Sequence, residues 1–190
     1  MIHTTSEVST QHANGQSDEN GENKVGGGKF LTFFLAGEEY GIEILSVHEI
    51  IGMMPITSVP GTPDYICGII NLRGKIIPIV DIRKKFGMDF KDYNSETCII
   101  VVNVRGVEAG AVVDRVSEVL NIADEDIEPP PSFGKNVHVD FIMGIGKSQS
   151  KVKILLDIDR VISSDQILQV QKMMTGETLK NDNSIPATGV

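Results

Sequence analysis

The chain of 190 residues has no tryptophan and only three tyrosines, and its formal net charge is −9 at pH 7. Proteins that bind nucleic acids need clustered lysine and arginine for phosphates, and many use aromatic rings on which bases stack. The composition therefore disfavours nucleic acid as a partner. The same negative charge disfavours binding to an anionic membrane surface.

Cysteine is also scarce, because Cys67 and Cys98 are the only two and neither belongs to a Cys-x-x-Cys or Cys-x-x-His pattern. Each lies in an apolar run typical of a strand, so we expect two buried, reduced thiols and no disulfide or metal site. No apolar run approaches the roughly 20 residues that span a bilayer, and the polar N-terminus lacks the apolar core of a secretory signal. These absences favour a cytoplasmic protein that does not insert into a membrane.

Several common catalytic motifs are absent as well. The chain has no Gly-x-x-x-x-Gly-Lys-Ser/Thr loop, no Gly-x-Ser-x-Gly elbow and no His-Glu-x-x-His pair. Neither His48 nor His138 has a second ligand at metal spacing. Asp81 and Asp157 end apolar runs, where a helix cap explains them better than acid–base chemistry. We therefore expect no enzymatic activity, no cofactor and no metal.

The most informative feature that is present is an internal repeat. Residues 66–82 read ICGIINLRGKIIPIVDI, and residues 142–158 read IMGIGKSQSKVKILLDI, so one offset carries Ile66 to Ile142. Upstream, the block that begins at Gly37 recurs at Gly106, with a slightly smaller offset. Two related blocks in the same order favour a duplication over chance. A duplication on this scale predicts two similar subdomains.

Short apolar runs with glycine at the turns predict a mostly β fold. Hairpins are expected across Gly37-Glu38-Glu39, across Arg73-Gly74 and across Arg105-Gly106, with a further strand over 151–156. Pro78 lacks an amide hydrogen and should therefore lie at a sheet edge or a bulge. Together with the duplication, this pattern predicts two small five-stranded barrels around a shared core, with a few short helices.

Both ends of the chain have the composition of flexible tails. Residues 1–28 are rich in Ser, Thr, Asn, Gln, Glu and Gly, and residues 175–190 are similar, so neither can bury enough apolar surface to become ordered. The folded part is expected over residues 29–174, with the second barrel at roughly 97–156. A closing helix capped by Ser163-Ser164-Asp165 should run to about residue 174.

A binding surface is the function class that the sequence favours, and one candidate lies after the first hairpin. Val47, Ile50, Ile51, Met53 and Met54 place five apolar residues within eight positions. That is more than one face of a short element can bury, so we expect some of them to face a groove. For Val47 and Ile50 the alternative is an ordinary place in the core. The segment could be a short helix or a bent strand.

Two single residues are further candidates. Phe133 follows three prolines in a polar loop, where it either contacts another protein or folds back as a local plug. Arg73 interrupts an apolar hairpin, and the second copy of the repeat has Gln149 at that position. We hypothesise that Arg73 pairs with Glu49 and fixes the surface between them. The alternative is a turn arginine in solvent.

Taken in order, these segments resemble the CheW-like chemotaxis coupling proteins. The matching segments are Phe30-Leu31-Thr32-Phe33, Gly37-x-Glu39-Tyr40-Gly41-Ile42, Val47-x-Glu49-Ile50, Asn71-Leu72-Arg73-Gly74 and Pro78-Ile79-Val80-Asp81. The resemblance runs from about Phe30 to the closing helix. It implies two intertwined five-stranded SH3-like barrels around a shared core.

The resemblance also implies a function. It implies a non-catalytic scaffold that couples methyl-accepting chemoreceptors to the histidine kinase CheA, in a cytoplasmic array at the inner face of the membrane. A barrel edge would bind the regulatory domain of the kinase, and Phe133 matches a loop aromatic of ring-like kinase contacts. The arginine of that contact is replaced here by Glu128. The residues that would bind the receptor tip are Val47, Glu49, Ile50 and Arg73.

Two alternatives stay open. One is a coupling module of a related, non-flagellar chemosensory phosphorelay. The other, of a different class, is a small barrel that binds nucleic acid, which the net charge of −9 disfavours. A two-domain relative would carry a response-regulator receiver after the barrels, and a kinase regulatory domain would follow catalytic domains. The length of the chain favours a stand-alone coupler.

Overall fold

The structure, a computed structural model, describes residues 26–130, 140–148 and 151–162 together with Val170. Within these residues, strands dominate and the helices are single turns. In chain order the strands are β1 (Gly28–Leu35), β2 (Glu38–Glu43), β3 (Val47–Gly52), β4 (Ile66–Leu72), β5 (Lys75–Asp81), β6 (Cys98–Val104), β7 (Val107–Val113), β8 (Arg115–Ile122), β9 (Ile127–Glu128), β10 (Ile142–Ser148) and β11 (Lys151–Leu156). The α-helices are α1 (Ile82–Lys85) and α2 (Ile158–Val161), and 3₁₀ turns cover Ile44–Ser46 and Asp124–Asp126.

The strands form two sheets, which confirms the predicted mostly β fold with two SH3-like barrels. One sheet has the order β8-β1-β2-β11-β10-β9, and the other has the order β3-β6-β7-β5-β4. The second barrel was expected at roughly residues 97–156, but this boundary does not separate the sheets, because β6 and β7 join the strands of the first half. The chain passes from one sheet to the other at Asp114, between β7 and β8, where the Asp114 amide bonds to the carbonyl of Phe34 on β1.

The sequence repeat reappears in the register of the parallel strand pairs. Ile79 of β5 lies opposite Gly110 of β7, and Leu155 of β11 lies opposite Gly41 of β2. The offset that relates the two later blocks carries Ile79 to Leu155, and the offset of the two upstream blocks carries Gly41 to Gly110. Each parallel pair joins a strand from the first half of the chain to one from the second half. The two halves are therefore intertwined.

Apolar side chains form one shared core and a smaller core within each barrel. The shared core draws on both sheets and on both α-helices, as expected for barrels that pack tightly. Ile79 and Ile99 belong to the separate core of one sheet, and Leu155 and Phe30 belong to that of the other. These residues are again related by the two offsets. The duplication therefore extends from the strands to the packing inside each barrel.

Turn chemistry explains the first hairpin, whose turn begins one residue earlier and ends two residues earlier than predicted. The turn consists of Ala36 and Gly37, with φ of 52° and 91°, while Glu38 and Glu39 already belong to β2. Two consecutive positive φ angles are typical of the two-residue turn that matches the twist of a hairpin. The predicted turns at Arg73-Gly74 and Arg105-Gly106 are confirmed.

The two aspartates at strand ends cap helices, as predicted. The side chain of Asp81 accepts a hydrogen bond from the Lys84 amide, and that of Asp157 accepts one from the Arg160 amide. Residues 163–169 and 171–174 of the expected closing helix lie outside the described residues, whereas Val170 is buried. Within the described part of the chain, no helix is long and apolar enough to cross a membrane.

Pro78 is not at a sheet edge, because β5 lies between β4 and β7. It nevertheless occupies a position that needs no amide donor. Its partner Ile69 directs both backbone groups to Thr57, at 2.8 and 2.9 Å, so the Ile69–Pro78 pair has no hydrogen bonds across it. On the other side, the ladder with β7 begins one residue later, at Ile79.

The two cysteines are free thiols, but each is half-buried, whereas burial was expected. The pairing of β4 with β5 shifts between Ile66 and Gly68, so Cys67 is the extra residue of a bulge. The bulge brings its sulfur to 3.5 Å from the hydroxyl of Tyr93. Burial raises the pKa of the Cys98 thiol, which favours its protonated form.

Candidate functional site

Val47, Ile50 and Ile51 lie on β3, an edge strand that the 3₁₀ turn Ile44–Ser46 precedes, and Met53 and Met54 follow it. Ile51, Met53 and Met54 are half-buried against the separate core of this sheet, as an ordinary place in the core requires. The pairing of β3 with β6 shifts after Val47, which lies opposite Val102, and Ile50 lies opposite Ile100. Opposite residues share a face of the sheet, and Val102 and Ile100 belong to the core between the barrels. Val47 and Ile50 therefore lie on the face turned towards the junction of the barrels. Val47 is half-buried and packs on that core, whereas Ile50 is 45% exposed.

Arg73 and Glu49 form a two-pronged ion pair, as hypothesised. Nη1 of Arg73 donates to Oε1 of Glu49 and Nη2 donates to Oε2, each over 2.9 Å. The Arg73 side chain is 74% exposed and that of Glu49 is 20% exposed. Exposed pairs add only about 0–1 kcal/mol to stability, but a bidentate contact fixes the plane of the guanidinium. The pair therefore contributes chiefly to the shape of the surface beside Ile50.

The turn between β4 and β5 positions Arg73. Arg73 and Gly74 have φ of 52° and 88°, the left-handed values of a two-residue hairpin turn. The side-chain oxygen of Asn71 accepts a hydrogen bond of 2.8 Å from the Gly74 amide and closes the turn. This contact explains why asparagine occurs at position 71, and the positive φ explains why glycine occurs at position 74. The segment in which the two copies of the repeat differ in sequence therefore forms a hydrogen-bonded hairpin turn in the first copy.

The same turn occurs a second time, between β6 and β7, a likeness that we did not predict. Asn103-Val104-Arg105-Gly106 has the spacing of the first turn, and Asn103 accepts from the Gly106 amide over 2.8 Å. Arg105, however, lies 3.7 Å from Asp159 of α2, in a looser contact than that of Arg73. The two arginine turns are thus alike in backbone and different in partner.

A second group of charges lies near the first pair. Oε1 of Glu108 on β7 accepts a hydrogen bond from Lys75 over 2.9 Å and lies 3.8 Å from Nε2 of His48. His48 adjoins Glu49 in the chain, and Lys75 follows Arg73 by two residues. The contact of His48 could not be predicted from local spacing, because Glu108 is far away in the chain.

The predicted kinase contact, Phe133, lies outside the described residues. Glu128, at the position where the resemblance implies an arginine, ends β9 and forms an ion pair with Lys147 of β10. The departure from the family pattern thus places a salt-bridged carboxylate at this edge of the barrel.

Tyr93 packs against two residues of the first copy of the repeat, Cys67 and Asp81. Its hydroxyl donates to Asp81 over 2.9 Å and lies 3.5 Å from the sulfur of Cys67, while Asp81 is only 3% exposed. Burial of the phenol, its contact with Cys67 and the charge of Asp81 raise the pKa of Tyr93 well above its ordinary value of 10.0. The phenol therefore keeps its proton and acts as a donor.

Comparison with known proteins gives a consistent result. A family model described as CheW-like domain matches residues 29–166. The chain is 41% identical over 147 residues to "Chemotaxis protein CheW" of Klebsiella aerogenes, which covers 77% of this chain and 89% of that protein. It is 33% identical over 140 residues to "Chemotaxis protein CheW" of Bacillus subtilis, with 73% and 89% covered.

A solved structure agrees with these relatives. The scaffolding protein TtCheW from Thermoanaerobacter tengcongensis superposes with a TM-score of 0.67 at 39% sequence identity. The match covers 74% of this chain and 95% of that chain.

Proposed function

The chain belongs to the CheW-like domain family, and on this basis we propose that it is a chemotaxis coupling protein. In this role it is a non-catalytic scaffold that connects methyl-accepting chemoreceptors to the histidine kinase CheA, in a cytoplasmic array at the inner face of the membrane. The observation that carries the proposal is the family match over residues 29–166, because it spans the barrels rather than a local motif. The names of the relatives, chemotaxis protein and scaffolding protein, support the same role.

The receptor surface of this proposal consists of β3 and the Arg73 turn. Ile50 offers exposed apolar area beside the junction of the barrels, with Val47 packed below it. An amphipathic helix binds such a surface through apolar residues spaced three or four apart. The Glu49–Arg73 pair fixes the charged border of the surface, which governs specificity more than affinity.

The kinase surface of this proposal is a barrel edge with Phe133 as its loop contact. Glu128 is held by Lys147 at this edge, so the contact lacks the arginine of the family pattern. We therefore assign the binding of the kinase here to Phe133 and apolar packing.

Separate titrations with the two partners test the proposal. The full-length chain is titrated with the cytoplasmic fragment of a chemoreceptor and, separately, with the regulatory domain of CheA. We expect the wild type to bind both. Arg73→Lys keeps the charge but loses the bidentate contact, so it should weaken receptor binding about tenfold and leave kinase binding unchanged. Arg105→Lys, the same exchange in the matching turn, is the control. A wild-type chain that binds neither partner would contradict the proposal.

A further inference from the structure

Within the described residues, the second copy of the repeat leaves open a position that is filled in the first copy. In the first copy, Cys67 and Asp81 hold the phenol of Tyr93, with Asp81 accepting its hydrogen bond. The offset of the repeat carries Cys67 and Asp81 to Met143 and Asp157. Met143 and Asp157 instead line an open cleft of about 170 Å³.

Asp81 and Asp157 have the same structural role but differ in exposure. Both cap a one-turn helix. Asp81 is 3% exposed beneath Tyr93, whereas the side chain of Asp157 is 30% exposed. Among the described residues, Asp157 is bonded to Arg160 of its own helix, and no tyrosine reaches it. The cleft therefore has the form of a site for a side chain with an apolar stem and a terminal hydrogen-bond donor.

The charge of the cleft favours a basic side chain as that donor. Glu43 and Asp159 line the cleft together with Asp157. The repeat offsets relate Glu43 to Val112 and Asp159 to Arg83, so neither equivalent position has a carboxylate. Asp159 is near Arg105, but Glu43 has no ion-pair partner within the described part of the chain. An unpaired carboxylate beside a second one attracts a cation more strongly than a phenol.

The cleft adjoins the proposed receptor surface along the chain. Glu43 and Ser46, which line it, flank a 3₁₀ turn that leads directly into β3 at Val47. Leu45, in the same turn, is 93% exposed, and with Ile50, which is 45% exposed, it gives this part of the chain two exposed apolar side chains. The chain therefore leads from the acidic cleft, past the exposed Leu45, directly into β3.

We propose that this cleft binds a lysine or arginine of the receptor helix that lies on β3. The cationic head donates to Glu43 and Asp157, its stem packs on Met143, and Leu45 packs on the helix beside it. This inference rests on the proposed function, because the receptor is its occupant.

Charge reversal at Glu43 tests the inference. The receptor cytoplasmic fragment is titrated with full-length wild type, Glu43→Lys and Leu45→Ala, and the Tm of each variant is measured. We expect Kd to rise at least about tenfold for Glu43→Lys and about fivefold for Leu45→Ala. Glu38→Lys is the matched control, because Glu38 is an exposed carboxylate at the other end of the same strand, and its Kd should change less than about twofold. A receptor fragment with the contacting basic residue changed to Glu should bind Glu43→Lys better than it binds the wild type.

The outcomes separate this inference from the proposed function. If the wild type binds and Glu43→Lys binds equally well, the cleft proposal is wrong and the proposed function stands. If Glu43→Lys lowers the Tm without changing Kd, other residues of this chain cover the cleft, and the proposal is again wrong. If the wild type does not bind the receptor fragment, both are wrong.

Discussion

The carbonyl carbon of Thr57 lies 2.7 Å from the point that a Cβ atom on Gly68 would occupy, and the carbonyl oxygen lies closer still. Gly68 has a φ of 137°, and the next residue, Ile69, exchanges two backbone hydrogen bonds with Thr57. The close approach holds the segment after β3 against β4. Gly144 is the equivalent of Gly68 in the second copy, and a Cβ atom on it would lie 2.9 Å from the carbonyl oxygen of Glu128 on β9. Both barrels therefore use a glycine to admit a neighbouring backbone.

Substitution of Gly68 should be strongly destabilising. Gly68→Ala combines a clash with a backbone carbonyl and a φ that L-residues rarely adopt, so we expect a loss of about 3 kcal/mol in the free energy of unfolding. Urea unfolding measures the loss. Gly52→Ala is the control, because a Cβ on Gly52 meets nothing within 4 Å, and it should cost less than about 1 kcal/mol. Equal losses in the two variants would contradict the steric explanation.

Glu49 and Arg73 should act as one unit in receptor binding. Their bidentate contact implies that Glu49→Ala and Arg73→Ala each weaken binding and that the double variant is little worse than either. The free energy of unfolding should change by less than about 1 kcal/mol, because the Arg73 partner is 74% exposed and solvent screens the pair. Titration of the receptor fragment with all four chains gives the coupling energy. The exposed pair Glu128–Lys147 serves as the control cycle, and additive losses at Glu49 and Arg73 would contradict the prediction.

The ion pair with Glu39 should be what makes the buried charge of Lys153 tolerable. Its side chain is 2% exposed and lies 3.4 Å from the Glu39 carboxylate. Glu39→Ala leaves a buried ammonium without a counter-charge among the described residues, held only by a long hydrogen bond of 3.5 Å to the Ser148 carbonyl, and should cost about 3 kcal/mol in urea unfolding. The first copy has Ile77 at the equivalent position, so adding Lys153→Ile should restore the stability to within about 1 kcal/mol of wild type.

The duplication supplies the control for this pair. Glu108 is the equivalent of Glu39, but its partner Lys75 is 67% exposed, so Glu108→Ala should cost less than about 1 kcal/mol. A double variant at Lys153 and Glu39 that is as unstable as Glu39→Ala alone would show that burial of the charge is not the cause.

Local sequence patterns were sufficient to predict the hairpins, but they did not show which strands of different hairpins pair with each other. The Arg73-Gly74 and Arg105-Gly106 turns were predictable because a glycine interrupts two apolar runs in each case, and the structure gives both residues of each pair a positive φ. The parallel pairing of β5 with β7, and of β11 with β2, joins segments far apart in the chain. No local period encodes such a contact, and the passage between sheets at Asp114 interrupts a run that reads as one strand.

In the candidate site, too, one contact could be predicted from the sequence and another could not. The Glu49–Arg73 pair was predictable because Arg73 is out of place in an apolar hairpin and its counterpart in the repeat is not an arginine. The contact of Tyr93 with Asp81 was not predictable, because Tyr93 lies in a polar loop without periodicity. Only the folded structure shows that this loop residue packs on Asp81 and Cys67 of the first copy of the repeat.

The raised pKa of Tyr93 predicts a specific loss of stability in alkali. In the unfolded chain the phenol releases its proton near pH 10, whereas in the folded chain burial, Cys67 and Asp81 hold the proton to higher pH. The stabilising contribution is therefore complete below about pH 10 and is lost as the pH rises towards the pKa of the folded state. Tyr93→Phe has no such proton, so the Tm gap between wild type and Tyr93→Phe should shrink from about pH 8 to about pH 11.5. Phe90→Leu, which alters the ring next to Tyr93 without a titrating group, should keep a constant gap. A constant gap for Tyr93→Phe as well would mean that the enclosed hydroxyl does not govern the alkaline transition.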